Sequence, residues 1–181
     1  MNKTIIKNTP FGPLAILWAS INGRPRVTRV IIPQPSLSAE KQVKESFPEA
    51  KVATCSEIDA VCADMLLALN GKNICFALDL VHLDLCPPFQ QAVLREEHRV
   101  SRGCVNTYQL LAVRLGKPSA SRAVGNALAK NPFPIIVPCH RTIRSDGTLG
   151  GYQGGLEMKR ALLAGEGVRF DAQGRVLSGP L

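Results

Sequence analysis

Apolar residues in the first third of the chain come in short blocks between turn formers, which is a strand pattern. Residues 14–19 (Leu14-Ala15-Ile16-Leu17-Trp18-Ala19) follow the turn-like Pro10-Phe11-Gly12-Pro13, and 27–32 are rich in β-branched side chains. Both stretches predict strands. Asn22-Gly23 lies between them; both residues tolerate positive φ, which predicts a tight hairpin turn. Two helices should follow, one over about 38–46 and one capped by Ser56 and stopped at Asn70-Gly71. A strand at about 73–81 would complete a small antiparallel sheet.

Pro87-Pro88 breaks the pattern, and beyond it the spacing turns helical. Helices are expected over about 90–97, over about 108–115 with Thr107 as cap, and from a Ser119 cap to about Lys130. Tyr108, Leu111 and Leu115 share one face of the second, and Ala120, Val124, Ala127 and Leu128 one face of the third. Two short helices around Gly116-Lys117-Pro118 fit a helix-turn-helix, and equally a packed helical hairpin. The apolar Ile135-Ile136-Val137 then runs into Pro138-Cys139-His140-Arg141. A glycine-rich stretch, 147–155, precedes a helix at about 156–164, and a small hairpin around Gly174 ends the pattern. Two domains are therefore expected, 1–86 and 87–181.

Composition places the chain among ordinary globular proteins, since 45% hydrophobic and 20% charged residues are neither a disordered nor a membrane balance. No apolar run is long enough to span a bilayer, and the N-terminus lacks the apolar core of a signal peptide. An intracellular protein is expected, cytoplasmic, or nuclear in a eukaryotic host, with no membrane partner. Charge is unevenly placed. Residues 1–86 carry nine Lys/Arg against eight Asp/Glu, whereas 87–181 carry thirteen against six, so nearly all of the net +8 lies in the second half. That asymmetry fits a polyanionic partner such as nucleic acid, and also a basic solvated face.

The six cysteines, Cys55, Cys62, Cys75, Cys86, Cys104 and Cys139, form no CxxC pair. Five of them lie in apolar surroundings and read as buried thiols. A zinc site drawn from Cys55, Cys62, Cys75, Cys86 or His82 matches no common spacing, so no metal is expected. Cys139 has different neighbours, with a titratable base in His140 and a fixed cation in Arg141. Such neighbours favour the reactive thiolate, provided the chain turns at Pro138 so that His140 reaches the thiol. A buried cysteine beside a satisfied histidine fits the same residues. No nucleotide or dinucleotide motif is present, because Gly150–Gly155 lacks the Lys-Ser/Thr of a phosphate loop, and no cofactor is expected.

Residues 131–141 (Asn131-Pro132-Phe133-Pro134-Ile135-Ile136-Val137-Pro138-Cys139-His140-Arg141), with Gly150-Gly151-Tyr152-Gln153-Gly154-Gly155 and Lys159, strongly resemble the O6-alkylguanine-DNA alkyltransferase family. Thr107-Tyr108, Ser121-Arg122-Ala123-Val124-Gly125 and Leu162-Leu163-Ala164-Gly165-Glu166-Gly167 extend the resemblance, which is dense over about 88–168. It implies an α+β fold: a small N-terminal antiparallel sheet with helices, ribonuclease-H-like, then a mostly helical, winged-helix-like domain with a helix-turn-helix. It also implies direct-reversal DNA repair, with double-stranded DNA carrying O6-alkylguanine as partner of a monomer, and with O4-alkylthymine as a further substrate.

The resemblance assigns roles residue by residue. The helix after Ser119 lies in the minor groove, where Ser121, Ala123 and Gly125 allow close approach and Arg122 fills the gap left by the flipped base. Thr107 belongs to the same DNA-facing group. Tyr108 turns the 3′ phosphate and contacts the flipped base, although plain core packing of its ring fits the pattern too. Cys139 accepts the alkyl group, His140 takes the thiol proton through a water, Glu166 holds His140, and Asn131 fixes the turn. Lys159 lies near the Tyr108 hydroxyl, and Arg141 braces the structure. Pro134, Val137, Gly150, Tyr152 and Gln153 form the substrate pocket, with a backbone N–H at Tyr152-Gln153 aimed at the guanine O6.

Some positions depart from the family pattern. Gln153 stands where a small residue is common, Leu94 and Glu96-Glu97 where aromatic and apolar helix residues are usual, and Ser101 in place of a proline. The cysteine and histidine pairs that bind zinc in some members have no clear match. Competing readings are the alkyltransferase-like proteins, which lack the acceptor cysteine; a helix-turn-helix regulator, which needs no Cys-His-Glu relay; and a cysteine hydrolase, which would turn over.

Overall fold

The structure is a computed structural model and describes residues 1–177, so the last four positions of the expected second domain lie outside the described residues. Its first strand, β1 (Asn2–Ile6), is one that the sequence pattern did not predict. It pairs antiparallel with β2 (Leu14–Ile21), which pairs antiparallel with β3 (Arg24–Ile31). Asn22 and Gly23 form the two-residue turn between β2 and β3 with φ of 51° and 76°, a conformation that matches the twist of the flanking strands. After helix α1 (Ala39–Ser46), the two-residue strand β4 (Lys51–Val52) adds parallel to β1. The sheet order is β3-β2-β1-β4, so the sheet is mixed and not the antiparallel one expected.

Helix α1 begins at a Ser38 cap whose hydroxyl accepts from the Lys41 N–H. Its apolar face, Ala39 and Val43, packs on Ala15, Leu17 and Ile31 of the sheet, with Ile5 and Phe47 at the rim. Strand β2 is buried on both faces from Leu14 to Trp18, which is why it reads as an unbroken apolar run. Helix α2 (Ser56–Leu69) corrects the expected cap. Cys55 occupies the cap position without a side-chain bond, and Ser56 is already helical, its hydroxyl turned to Glu57. No strand forms at 73–81 either: a 3-10 turn at Leu78–Leu80 and a single bridge, Val27 to Val81, take its place. Phe76 and Val81 are buried from this irregular segment, so its hydrophobicity serves packing and not a ladder.

The chain divides into two compact units: Met1–Leu85 with Pro132–Ile136, and Cys86–Asn131 with the chain from Val137 onward. Residues 132–136 thus group with the first unit, away from the second half of the sequence in which they lie. Val30 N–H donates to the Pro132 carbonyl at 2.8 Å, tying the segment to β3. Ile135 there has φ 75°, a strained conformation for a β-branched residue, costing about 1–3 kcal/mol.

In the second unit α3 (Pro88–His98) packs against α4 (Tyr108–Arg114) and α5 (Ser121–Ala129). Strand β5 (Asn106–Thr107) pairs parallel with β6 (Thr142–Ile143), and α6 (Gly155–Gly165) completes the unit. Thr107 caps α4, its hydroxyl accepting from the Leu110 N–H at 3.0 Å. Ser119 does not cap α5; Ala120 holds that position after a Lys117–Ala120 turn. Helix α5 buries Val124, Ala127 and Leu128 and exposes Arg122 and Ala123. Its last carbonyls, which a helix leaves unpaired, are served by two glutamines: Gln90 donates to Ala127 and Lys130, and Gln153 to Ala129. Val105, Ile143, Leu163, Val168 and Val176 form a second core beneath α6. The architecture is α+β: a small four-stranded mixed sheet, a two-stranded parallel pair and six α-helices among the described residues.

Candidate active site

Pro138 ends any regular extension, and the chain tightens at once into a 3-10 turn, Cys139–Arg141, closed by the Arg141 N–H on the Pro138 carbonyl at 2.8 Å. The turn buries both the Cys139 thiol and the His140 ring. Asn131 fastens it from the end of α5. Its amide donates to the Val137 carbonyl at 3.0 Å and also hydrogen-bonds the Cys139 thiol. The same Val137 carbonyl accepts the Cys139 N–H at 2.8 Å.

Cys139 lines a cavity of about 350 Å³, the size of a small-ligand cleft. Tyr108, Gly125, Leu128, Ala129, Gly151, Tyr152 and Gln153 complete its lining. Of the expected pocket residues, Tyr152 and Gln153 line this cavity, while Pro134, Val137 and Gly150 do not. Leu128, Ala129 and Gly151 are additions. Gly125, Leu128 and Ala129 stand at i, i+3 and i+4 of α5, so a helical-face reading could have found them together. Gly150 has a different role: at φ 67°, a Cβ there would sit 2.9 Å from the Tyr108 hydroxyl. Glycine lets the loop close against Tyr108.

Glu166, just past the end of α6, organises the polar side of the turn. Its Oε1 lies 3.0 Å from His140 Nε2, and Arg141 holds both carboxylate oxygens, through Nε at 2.9 Å and Nη2 at 2.8 Å. Arg141 also reaches the Val100 carbonyl at 2.6 Å, so its guanidinium is a brace. Burial alone would raise the Glu166 carboxyl, but the His140 and Arg141 bonds and charges outweigh it and hold it at about 2. Burial lowers the His140 pKa, against the opposing pull of Glu166, so its imidazole is neutral near pH 7. An ionised carboxylate only accepts, so His140 Nε2 carries the hydrogen. The lone pair is then on Nδ1, a buried atom with no hydrogen-bond partner among the described residues.

The thiol itself corrects the sequence reading. Neighbouring positive charge was expected to favour the thiolate, yet burial pushes Cys139 up to about 11, only partly offset by the Asn131 bond and the Lys159 charge. The resting group is a protonated thiol. The other cysteines are also less buried than expected: among them only Cys86 is buried, and Cys75 is exposed. No group of three or more His, Cys, Asp or Glu that could hold a metal occurs among the described residues.

Lys159 projects from α6 into the interior, where its ammonium donates to the Thr142 carbonyl at 2.6 Å and the Leu149 carbonyl at 2.5 Å. The Gly151 carbonyl lies at 3.5 Å. Lys159 therefore clasps the loop that carries Gly151 and Tyr152 to the cavity. Gln153 ties the loop at its other end, donating to Asn131 at 2.8 Å and Ala129 at 3.1 Å. Its side chain is thereby anchored to the end of α5 and the residues after it.

The model of the 6-O-methylguanine DNA methyltransferase DNA binding domain matches residues 88–168. A methylated-DNA–protein-cysteine methyltransferase of Methanothermobacter thermautotrophicus is 42% identical over 105 residues, 58% of this chain and 58% of the relative. The matched region thus spans somewhat more than half the length of that curated relative. Among solved structures, Mycobacterium tuberculosis O6-methylguanine methyltransferase superimposes with a TM-score of 0.73 at 30% identity, over 94% of this chain and 95% of that one. The chain belongs to the O6-methylguanine DNA methyltransferase family. A crystal structure of the M. tuberculosis protein in complex with DNA matches too, with a TM-score of 0.74 at 30% identity over 92% of each chain. Family membership thus extends through both units, including the first, where the sequence resemblance was loose. No helix among the described residues is long and apolar enough to cross a membrane.

Proposed function

We propose that this protein repairs O6-alkylguanine in double-stranded DNA by taking the alkyl group onto Cys139, one molecule per lesion. The observation that carries the reading is a buried thiol opening onto a cavity, with a neutral histidine and an ionised glutamate beside it. In the reaction the Cys139 sulfur attacks the alkyl carbon and the bond from that carbon to O6 breaks. The thiol proton passes through a water to His140 Nδ1, and Glu166 stabilises the imidazolium that forms. A backbone N–H at Tyr152-Gln153 supports the charge growing on O6. The product is a thioether, which water does not cleave, so the protein is spent. A thiol near 11 beside a neutral imidazole leaves the resting site unreactive, and proton transfer waits for a bound base. O4-alkylthymine is a second substrate of the same pocket.

DNA recognition belongs to the more basic half. Helix α5 enters the minor groove with Ser121, Ala123 and Gly125 close to the backbone, Thr107 supports the same face, and Arg122 takes the place of the flipped nucleotide. Tyr108 guides the 3′ phosphate and then the base. The protein works as a monomer, its first unit a ribonuclease-H-like support and its second a winged-helix-like reader with α4 and α5 as the helix-turn-helix. Mass spectrometry after incubation with a methylated duplex tests the reaction. One added methyl on the Cys139 peptide is expected; no adduct points to a lesion-binding protein without transfer, and repeated turnover to a hydrolase.

Arg122 is exposed on α5, well placed to substitute for an extruded base. Flipping costs a few kcal/mol. Arg122→Ala should slow repair of duplex DNA about tenfold to a hundredfold, while reaction with free O6-benzylguanine, which needs no flipping, is unchanged. Equal losses in the two assays would remove the flipping role.

Free O6-benzylguanine should inactivate the protein, because glycines and the short Ala129 side chain leave the cavity room for a ring. Gln153→Ser removes both loop anchors and should slow that inactivation by about tenfold at most, at about 1 kcal/mol for a hydrogen bond. Faster inactivation in the variant would show that Gln153 obstructs the entrance instead.

A further inference from the structure

Helix α3 carries an acid where its neighbours are core. Val93 and Leu94 are fully buried, and Glu97, about one turn on, is buried just as completely. Its Oε2 accepts the Thr142 hydroxyl at 2.5 Å, while Oε1 has no hydrogen-bond partner among the described residues. Thr142 also connects Glu97 to Lys159: its side chain serves the glutamate and its carbonyl takes the lysine ammonium. Lys159 is itself buried, and its hydrogen bonds are to neutral carbonyls. A buried ammonium needs an anion close by. The groups whose negative charge acts on Lys159 are Glu97 and, when ionised, Cys139.

We propose that Glu97 is a positioning residue for the alkyl-acceptor site, the buried counter-charge that keeps Lys159 an ammonium clasping the loop at Leu149 and Gly151. It acts through Lys159 and Thr142 and touches no substrate. The grip on the pocket loop thereby depends on pH. The inference rests on the repair reading only for its consequence; the link from Glu97 through Thr142 to Lys159 does not depend on it.

The groups that act on Glu97 fix the direction. Burial pushes its carboxyl up to about 7, against the Thr142 hydrogen bond and the charges of Lys159, Arg141 and Arg114. An ionised Glu97 in turn disfavours ionisation of Cys139 and Tyr108. Burial lowers Lys159 to about 8 even with the Cys139 and Glu97 charges supporting it. Below about pH 6.5 Glu97 is mostly protonated and behaves as a neutral amide would. Above pH 7 its charge supports Lys159.

The test compares the full-length protein with Glu97→Gln, which keeps an oxygen for the Thr142 hydroxyl, and with Glu97→Leu, which supplies an apolar filler. NMR of isotope-labelled lysine reads the titration of Lys159 directly. Its midpoint should fall by about one pH unit in both variants, as expected for losing a nearby opposite charge. The rate of transfer from O6-benzylguanine should match wild type at about pH 6 and fall threefold to tenfold below it at about pH 8, as the fraction of charged Lys159 drops. An unchanged Lys159 midpoint overturns the proposal, and so does a rate loss equal at every pH, which marks mere packing. Should the midpoint shift in a protein that transfers no alkyl group at all, the pair stands and the repair reading falls.

Discussion

Cys139→Ser is expected to abolish alkyl transfer and to leave the affinity for alkylated duplex DNA nearly intact. The variant exchanges one sulfur for oxygen in a buried turn whose backbone bonds, Cys139 to Val137 and Arg141 to Pro138, do not involve the side chain. Folding and the exposed surface of α5 are therefore preserved. The chemistry is not, because a hydroxyl is a much weaker nucleophile and a weaker acid than a thiol. Removing the nucleophile from a relay whose members act together costs at least about three orders of magnitude in rate. Single-turnover repair of a methylated duplex and gel-shift titration of the same duplex measure the two quantities. Transfer above background in Cys139→Ser would move the acceptor elsewhere, and Cys86 would be the first to examine, being the other buried thiol among the described residues.

The second large effect is expected from Glu166→Gln. The carboxylate serves His140 and Arg141 at once, and all three side chains are nearly buried. An amide of the same shape keeps one oxygen, loses the charge, and leaves the Arg141 guanidinium without its counter-ion. Breaking such a pair from one side costs roughly 3–5 kcal/mol. Orientation of His140 goes with it, and transfer should slow by about two to four orders of magnitude, the usual share of a positioned base. The pH dependence has a definite sign. Glu166 is held at about 2, below its ordinary 4.5, so its contribution is complete above about pH 4.5 and lost as pH falls through 2. The shift corresponds to about 3 kcal/mol. Urea unfolding should place wild type well above Glu166→Gln at pH 7 and bring the two together near pH 2. A gap that persisted at pH 2 would mean that shape, and not charge, is what Glu166 supplies.

Several elements were legible because the signal is local. Asn22-Gly23 dictates a turn through the φ values its two residues tolerate, and Thr107 caps α4 through a bond three residues away. Pro138 stops regular extension for its own covalent reason, and the 3-10 turn follows directly after it. Capping preferences misled where two neighbouring residues competed for one position: Ser56 and Ser119 both look like caps, yet Cys55 and Ala120 hold those positions. Hydrophobicity also misled at 73–81, since an apolar residue can plug a core from irregular backbone as well as from a strand.

The candidate site divides the same way. His140 and Glu166 stand 26 residues apart, and no spacing rule brings them to 3.0 Å; only resemblance to a family named the pair. The sequence by itself determined which groups the site has: a thiol, an imidazole, a carboxylate, a lysine and an arginine at fixed positions. The tertiary structure decided how they ionise, because desolvation belongs to packing and not to sequence neighbours. Burial raises Cys139 where adjacent charge predicted the reverse, keeps His140 neutral, and leaves Glu97 an acid near 7 on a helix face where the pattern showed only a misplaced charge.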